Sequence, residues 1–280
     1  MKKLISLSLS VALVFAFAAC KKTNNSNGTN PFYTPPTTTT TTTADPLANV
    51  GAVPGSFTKK VILEEFTGEW CGYCPDGAQI MEDLTNANPN RFYGVAVHQG
   101  DFMEVPAFFT FMETLYGAIT GFPSGAVNRG DVVGRGNWTS LVNTELAKTA
   151  DCGLAIEAKE SGDNLNLKVF VGHNAAIGGA TKLTIYLIEN DIDQVSQTNG
   201  GAGYKHQHVF RKVFTDNYGD DISIGDAKKY AMKEYKNLDI SGMYKNKANC
   251  HILAFVNIDG AGKTVLNAQL VGLNETKKWD

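Results

Sequence analysis

The stretch Val61-Ile62-Leu63-Glu64-Glu65-Phe66-Thr67-Gly68-Glu69-Trp70-Cys71-Gly72-Tyr73-Cys74-Pro75 decides how the first half of the chain is read. Val61 to Phe66 is a largely apolar run of strand length and reads as a mostly buried strand. Pro75 to Leu84 reads as a helix, with Ala78, Ile80, Met81 and Leu84 on its apolar side. The pair Cys71 and Cys74 therefore stands between a strand and a helix start. A bare C-x-x-C is a weak motif, and it is this context that gives it weight. Orphan N–H groups and the dipole at a helix start stabilise a thiolate. The spacing lets the two sulfurs reach bonding distance. Cys71 is expected to be the exposed nucleophile, and Cys74 the thiol that resolves a mixed disulfide.

Working outward, Phe92 to Val97 reads as a second strand. Val105 to Ile119, rich in Phe, Met and Leu, reads as a helix. Ser124 to Asn128 is a short strand. Asn137 is placed to cap a last helix through Ala150, with Leu141, Leu146 and Ala147 facing inward. This alternation argues an α/β domain over residues 58–150. From Asp151 the character changes. Leu154–Ala158, Leu165–Val171, Leu183–Ile188, His208–Phe214, Ile252–Ile258 and Val265–Val271 are short, alternating and separated by turn signals. Ser161-Gly162-Asp163-Asn164 and Asp259-Gly260-Ala261-Gly262 read as hairpin turns. Residues 151–280 are expected to form an all-β sandwich of immunoglobulin type. Lys228 to Leu238 reads equally as strand or short helix.

The first of these units resembles the thioredoxin fold. Glu65 lies six residues before Cys71, where thioredoxins carry a buried acid that relays a proton to the resolving cysteine. Burial would raise its pKa and suit it to that task. Ile119-Thr120-Gly121-Phe122-Pro123-Ser124 stands before a strand, where thioredoxins place a cis-proline beside the disulfide, so Pro123 is the candidate. Trp70 directly precedes the first cysteine, as in thioredoxins. The dipeptide Gly72-Tyr73 matches that of a bacterial periplasmic disulfide isomerase. The resemblance implies catalytic roles for Cys71, Cys74, Glu65, Pro123 and Trp70.

At the other end, Lys2 and Lys3 precede an apolar run, Leu4 to Ala19, that reads as a secretory signal over residues 1–19. Ala18-Ala19-Cys20 looks like a bacterial lipobox, with Cys20 the lipidated residue. Residues 20–57, with seven consecutive threonines from Thr37 to Thr43, read as a disordered tether. The whole chain has 280 residues, with 25 Lys and Arg against 28 Asp and Glu. That balance lacks the basic excess of a nucleic-acid binder. Past the N-terminus no apolar run is long enough to span a membrane. Motifs for phosphate loops, serine hydrolases and zinc proteases do not occur.

A second resemblance covers nearly the whole chain. Lipidated N-terminus, polar tether, Trp-Cys-Gly-x-Cys unit and β-rich unit together resemble the 28-kDa outer-membrane-protein-related lipoproteins of Gram-negative bacteria. Tyr204-Lys205-His206-Gln207-His208-Val209-Phe210-Arg211 looks like that family's H-x-H-V-x-R segment. Ala254-Phe255-Val256 and Thr264-Val265-Leu266-Asn267-Ala268 look like its closing hairpin. The resemblance implies a cell-envelope lipoprotein, anchored by its lipid at the outer membrane. Thiol–disulfide exchange on protein clients is the expected activity, with a redox partner and without cofactor or metal. The alternative is an adhesin or binding lipoprotein whose Cys71–Cys74 pair is structural.

Other residues carry weaker signals. Cys152 and Cys250 could bridge in an oxidising compartment, or remain free thiols. His206 and His208 would share a face of a strand and, with His173 or His251, could hold zinc; an exposed polar stripe is the other reading. Asp216, Asp220, Asp221 and Asp226 could bind calcium but lack the loop spacing, and so read as an acidic surface loop. His98 reads as a loop residue. Phe102, Phe108, Phe109, Phe111 and Tyr116 are either a client groove or a core helix.

Overall fold

The computed structural model describes residues 45–193, 196–225, 229–258 and 263–280. The signal segment, Cys20, the tether as far as residue 44, Asp226 and the turn at 259–262 lie outside the described residues.

The first half runs β1 (Val61–Thr67), α1 (Cys74–Ala87), β2 (Phe92–His98), α2 (Pro106–Tyr116), β3 (Ser124–Val127), β4 (Val132–Gly134) and α3 (Trp138–Leu146). β1 and β2 are parallel, joined across α1, and β3 lies antiparallel on the other side of β1. Every residue of β1 and β2 is buried, as expected of parallel strands covered on both faces. Val61 and Leu63 face Met81 and Leu84 of α1 and Trp138 and Val142 of α3. The alternate residues Ile62 and Phe66 face α2. The last helix departs from expectation. Asn137 makes no side-chain cap, because a short 3-10 turn over Arg135–Asn137 already leads into it. Its inward residues are Trp138, Val142 and Leu146, while Leu141 is exposed.

The second half runs β5 (Cys152–Ser161), β6 (Asn164–His173), β7 (Thr181–Glu189), β8 (Ile192–Asp193), β9 (Lys205–His206), β10 (Val209–Val213), β11 (Asp220–Asp221), β12 (Tyr230–Asp239), β13 (Cys250–Ile258), β14 (Val265–Gly272) and β15 (Thr276–Lys277). The undecided segment after Lys228 is thus a strand, paired antiparallel to β6. β12-β6-β5-β15 form one antiparallel sheet. It packs through Leu154, Ile156, Val169 and Val171 against Ile185, Leu187, Ile252 and Ala254 of the facing sheet.

That facing sheet does not stop at the boundary expected near residue 150. Its order is β14-β13-β7-β10-β2-β1-β3-β4, with β11 also paired to β7. β2 would otherwise present a bare edge of backbone donors and acceptors. β10 covers it in parallel, with Val209 opposite Ala96. The mixed sheet thus joins both halves of a mostly β chain.

α2 packs on this shared sheet. Phe108 stacks on Phe210 at 3.7 Å and meets Tyr186 edge-on at 5.4 Å. Phe108, Phe109 and Phe111 are therefore core residues, Tyr116 packs at the edge of the same cluster, and Phe102 alone of the five is exposed. Beneath lies a buried polar cluster. Glu64 accepts hydrogen bonds from Tyr186 at 2.9 Å and from Tyr116 at 3.0 Å. Arg129 stands 3.5 Å from the same carboxylate and donates to the Tyr186 hydroxyl.

Part of the expected tether is packed. Leu47 and Val50 rest with Trp279 against Ala155 and Phe170. Trp279 donates from its indole to the Gly51 oxygen at 2.8 Å, and the Thr58 N–H donates to the Asp280 oxygen at 3.1 Å. Apolar Leu47, Val50 and Phe57 give this stretch a burial the threonine run lacks.

Candidate functional site

Cys71 and Cys74 form a disulfide, with Cα atoms 5.4 Å apart, between the end of β1 and the first residue of α1. Tyr73 and Pro75 flank Cys74 at the helix start, and proline is tolerated there because its missing N–H would have no helical partner. The Cys71 N–H donates to the Gly68 oxygen, turning the chain back under the motif. Glu65, near the end of β1, is 1% exposed, and its Oε1 has no hydrogen-bond partner. Burial pushes its carboxyl up to about 8. A Cβ added to Gly77 of α1 would lie 2.5 Å from this Oε1 and 3.1 Å from the Pro123 ring. The carboxyl and the proline thus both close on Gly77 in the first turns of α1, where only glycine fits. The Phe122–Pro123 peptide is cis.

The rim is aromatic and polar. Trp70 and Tyr73 are 47% and 68% exposed, on either side of Cys71. The Trp70 indole donates to the Gln99 oxygen at 2.7 Å and its ring meets Phe122 at 5.1 Å. His98 is buried, not an open loop residue. Its Nδ1 lies 2.7 Å from Asp101 Oδ2, which also accepts from the Glu69 N–H at 2.9 Å. His98 therefore braces the turn that delivers Trp70 and Cys71.

Cys71 departs from its expected exposure: it is only 4% exposed, and Cys74 2%. A segment from the second half, between β8 and β9, docks on the backbone around it. The Gln197 amide donates to the Cys71 oxygen at 3.2 Å. The Thr198 N–H donates to the Glu69 oxygen at 2.8 Å. The Asn199 amide donates to the Gly72 oxygen at 2.9 Å. Farther along, Tyr204 has its phenol pushed up to about 12, by burial and by the Glu65 charge. Nothing in the sequence marked Gln197, Thr198 and Asn199 beyond the glycines of a loop. A loop signal does not say where the loop docks.

Other expectations are corrected. Cys152 and Cys250 are separate buried thiols, each pushed up to about 12, chiefly by burial. The Cys152 oxygen accepts from Asn267, which pairs with Val256 of β13. About 20 Å of strand separates Val256 from Cys250, far beyond the reach of a disulfide. His206 and His208 do not share a face, because His208 has φ +59 and breaks the alternation. His206 meets the His98 ring at 5.1 Å, while His208 packs near Gly94 and Met81. Burial lowers both imidazoles to about 4. Asp220 accepts from Tyr235 at 2.9 Å, Asp216 accepts from the Tyr218 N–H at 2.9 Å, and Asp221 pairs with Lys182 at 2.8 Å. Among the described residues no three His, Cys, Asp or Glu side chains are gathered as a metal site.

The family described as outer membrane protein Omp28 matches residues 112–277. The chain belongs to the Omp28 family. As an Omp28 protein it is an outer-membrane-associated protein of the envelope. The matched segment begins inside α2, so family membership does not itself speak for Cys71 and Cys74. It does include Pro123 and the segment over the disulfide. Among solved structures, HBP35 of Porphyromonas gingivalis is similar at 25% identity, over 80% of this chain and 78% of that one, with TM-score 0.69. Protein AGR_C_4864 from Agrobacterium tumefaciens shares the fold at 14% identity, over 80% of this chain and 98% of that one, with TM-score 0.53. A domain of the outer membrane lipoprotein Omp28 from Porphyromonas gingivalis aligns at 20% identity, over 45% of this chain and 89% of that one, with TM-score 0.29. No curated protein matches the chain.

Proposed function

We propose that this Omp28 protein is a thiol–disulfide exchange protein of the envelope. In this reading Cys20 is lipidated, the first half is a thioredoxin-like unit, and the second an immunoglobulin-like sandwich that helps present clients. The observation that carries the proposal is a buried Glu65 carboxyl, its Oε1 without a hydrogen-bond partner, set with Pro123 against Gly77 in the helix that Cys74 opens. A purely structural bridge has no use for a buried acid whose Oε1 has no hydrogen-bond partner, which costs stability.

In the reduced protein the Cys71 thiolate attacks one sulfur of a client disulfide. A Cys71–client bond forms, and the client's other sulfur leaves as a thiolate. Glu65 takes the proton from Cys74, whose sulfur then attacks Cys71. The Cys71–Cys74 bond forms, and the second client thiolate is released and protonated. Two electrons pass to the client, which gains two thiols. The oxidised protein runs the same steps backward on a client dithiol. Turnover needs a dithiol or disulfide partner to reset the pair.

The second reading, an adhesin or binding lipoprotein with a structural Cys71–Cys74 bridge, draws its support from the burial of both sulfurs. One measurement separates the two. The reduction potential of the pair is determined on the full chain in detergent, with Cys152 and Cys250 replaced by serine. A value of roughly −120 to −270 mV is expected of an exchange pair, whereas one below about −300 mV would mark a structural bridge and end the exchange reading.

A further inference from the structure

The disulfide sits in a surface turn between two exposed aromatic rings, yet Cys71 is almost fully covered. One short run of chain docks on the backbone around it, and its contacts follow a pattern. Consecutive residues Gln197, Thr198 and Asn199 donate to the carbonyls of Cys71, Glu69 and Gly72. Three backbone acceptors around the nucleophile are thus filled by donors from a single nearly continuous stretch.

The stretch is built to let go. From Gln197 to Gly203 it is Gln-Thr-Asn-Gly-Gly-Ala-Gly, with no large apolar side chain to bury. Its hold is hydrogen bonding: the Gln197 bond is buried, while the Asn199 bond is exposed, where water competes. Asn199, Gly201 and Gly203 have φ of +61, +77 and +76, a run of left-handed backbone that glycine can leave at little cost. The far end is fixed, because the Tyr204 ring meets His206 at 4.9 Å, next to the paired strands β8 and β9. Few buried apolar contacts, a run of glycines and an exposed Asn199 bond mark a segment of low local stability.

We propose that Gln197–Gly203 is a built-in client mimic, and that Gln197 and Asn199 set which molecules reach Cys71. It rests on the exchange reading given above. The segment occupies in cis the place that an extended client backbone takes in trans. A client displaces it by supplying its own N–H groups to the Glu69, Cys71 and Gly72 carbonyls. Trp70 and Tyr73 stand ready beside that track for its apolar side chains. An unfolded, disulfide-bearing polypeptide meets these demands. A folded surface does not, because its backbone donors are already engaged.

The test uses the full chain in detergent and two probes, dithiothreitol and a short unstructured peptide carrying one disulfide. Dithiothreitol reduces Cys71–Cys74 to two thiols and becomes its own cyclic disulfide. The double variant Gln197→Ala/Asn199→Ala should be reduced roughly tenfold faster, the scale of two hydrogen bonds, with an unchanged reduction potential and melting temperature. An unchanged rate at unchanged melting temperature would overturn the proposal. Independently, a Cys74→Ser protein joined through Cys71 to the peptide should show the Thr198 amide losing its protection from hydrogen exchange. A Thr198 amide as protected in the adduct as in the free protein would also overturn it. The exchange reading fails separately: a potential below about −300 mV removes the chemistry, while faster reduction of the double variant would still identify the segment as a gate.

Discussion

Val209 of β10 stands opposite Ala96 of β2 in parallel register, and the Ala96 N–H donates to the neighbouring His208 oxygen at 2.8 Å. The two residues are far apart in sequence, and between them they close the open edge of the strand that ends at His98. The sheet that carries the cysteines is completed only by the second half.

A fragment spanning residues 58–150 is therefore expected to be unstable. It would bare the β2 edge and strip Phe210, Tyr186 and Phe255 from the aromatic cluster on α2. Losing the apolar cover of several large aromatic side chains costs about 2 kcal/mol or more for each one, more than a small domain holds in reserve. Circular dichroism and size-exclusion chromatography of the fragment should show aggregation or poor cooperativity. A sharp, reversible melt close to that of the full chain would contradict this.

Glu65 gives a pH signature. Its carboxyl titrates near the ordinary 4.5 when unfolded and at about 8 when folded. Between those values the folded protein holds a proton that the unfolded chain has released. Stability should fall as pH rises from about 4.5 to 8 and level off above. Glu65→Gln, which cannot ionise, should lose this slope and exceed the parent by on the order of a few kcal/mol at pH 8. Urea melts of both proteins at several pH values would show parallel curves if the carboxyl were solvated.

Removing each cysteine should separate the two sulfur roles. Cys74→Ser is expected to accumulate a mixed disulfide with a client peptide, seen as a mass increase that dithiothreitol removes. Cys71→Ala should form no such adduct. Adducts on Cys74 instead would reverse the assignment of nucleophile and resolving thiol.

The Glu64–Arg129 pair links the halves through Tyr186 and should be costly to break. Arg129→Met leaves the Glu64 carboxylate buried with only two phenol donors. The expected loss is about 3–5 kcal/mol. Replacing both, as Glu64→Gln with Arg129→Met, should recover part of it, and a double-mutant cycle in denaturant would measure the coupling.

How much of this was legible beforehand follows from which forces were local. β1 and α1 could be read because an apolar run and a proline-opened helix declare themselves within a dozen residues. Glu65 and Pro123 entered through resemblance, since no local signal says that one carboxyl meets one proline across Gly77. The segment over the disulfide was invisible, because Gln197 reaches Cys71 across 126 residues and does so through a backbone oxygen. Cys152 and Cys250 were ambiguous for a related reason. Their types are printed in the sequence, but the register that sets them at opposite ends of β13 is not. The strand Tyr230–Asp239 lies at a sheet edge and is half exposed, which blurs the alternation that would have distinguished it from a helix.

The knot of Trp279, Asp280, Gly51 and Thr58 has a bearing on orientation. It clamps the incoming chain at the start of β1, while Cys71 lies past the other end of that strand, about 20 Å farther on. The clamp and the disulfide thus stand at opposite ends of one buried strand, so the point where residues 51–58 enter the fold is remote from the sulfurs.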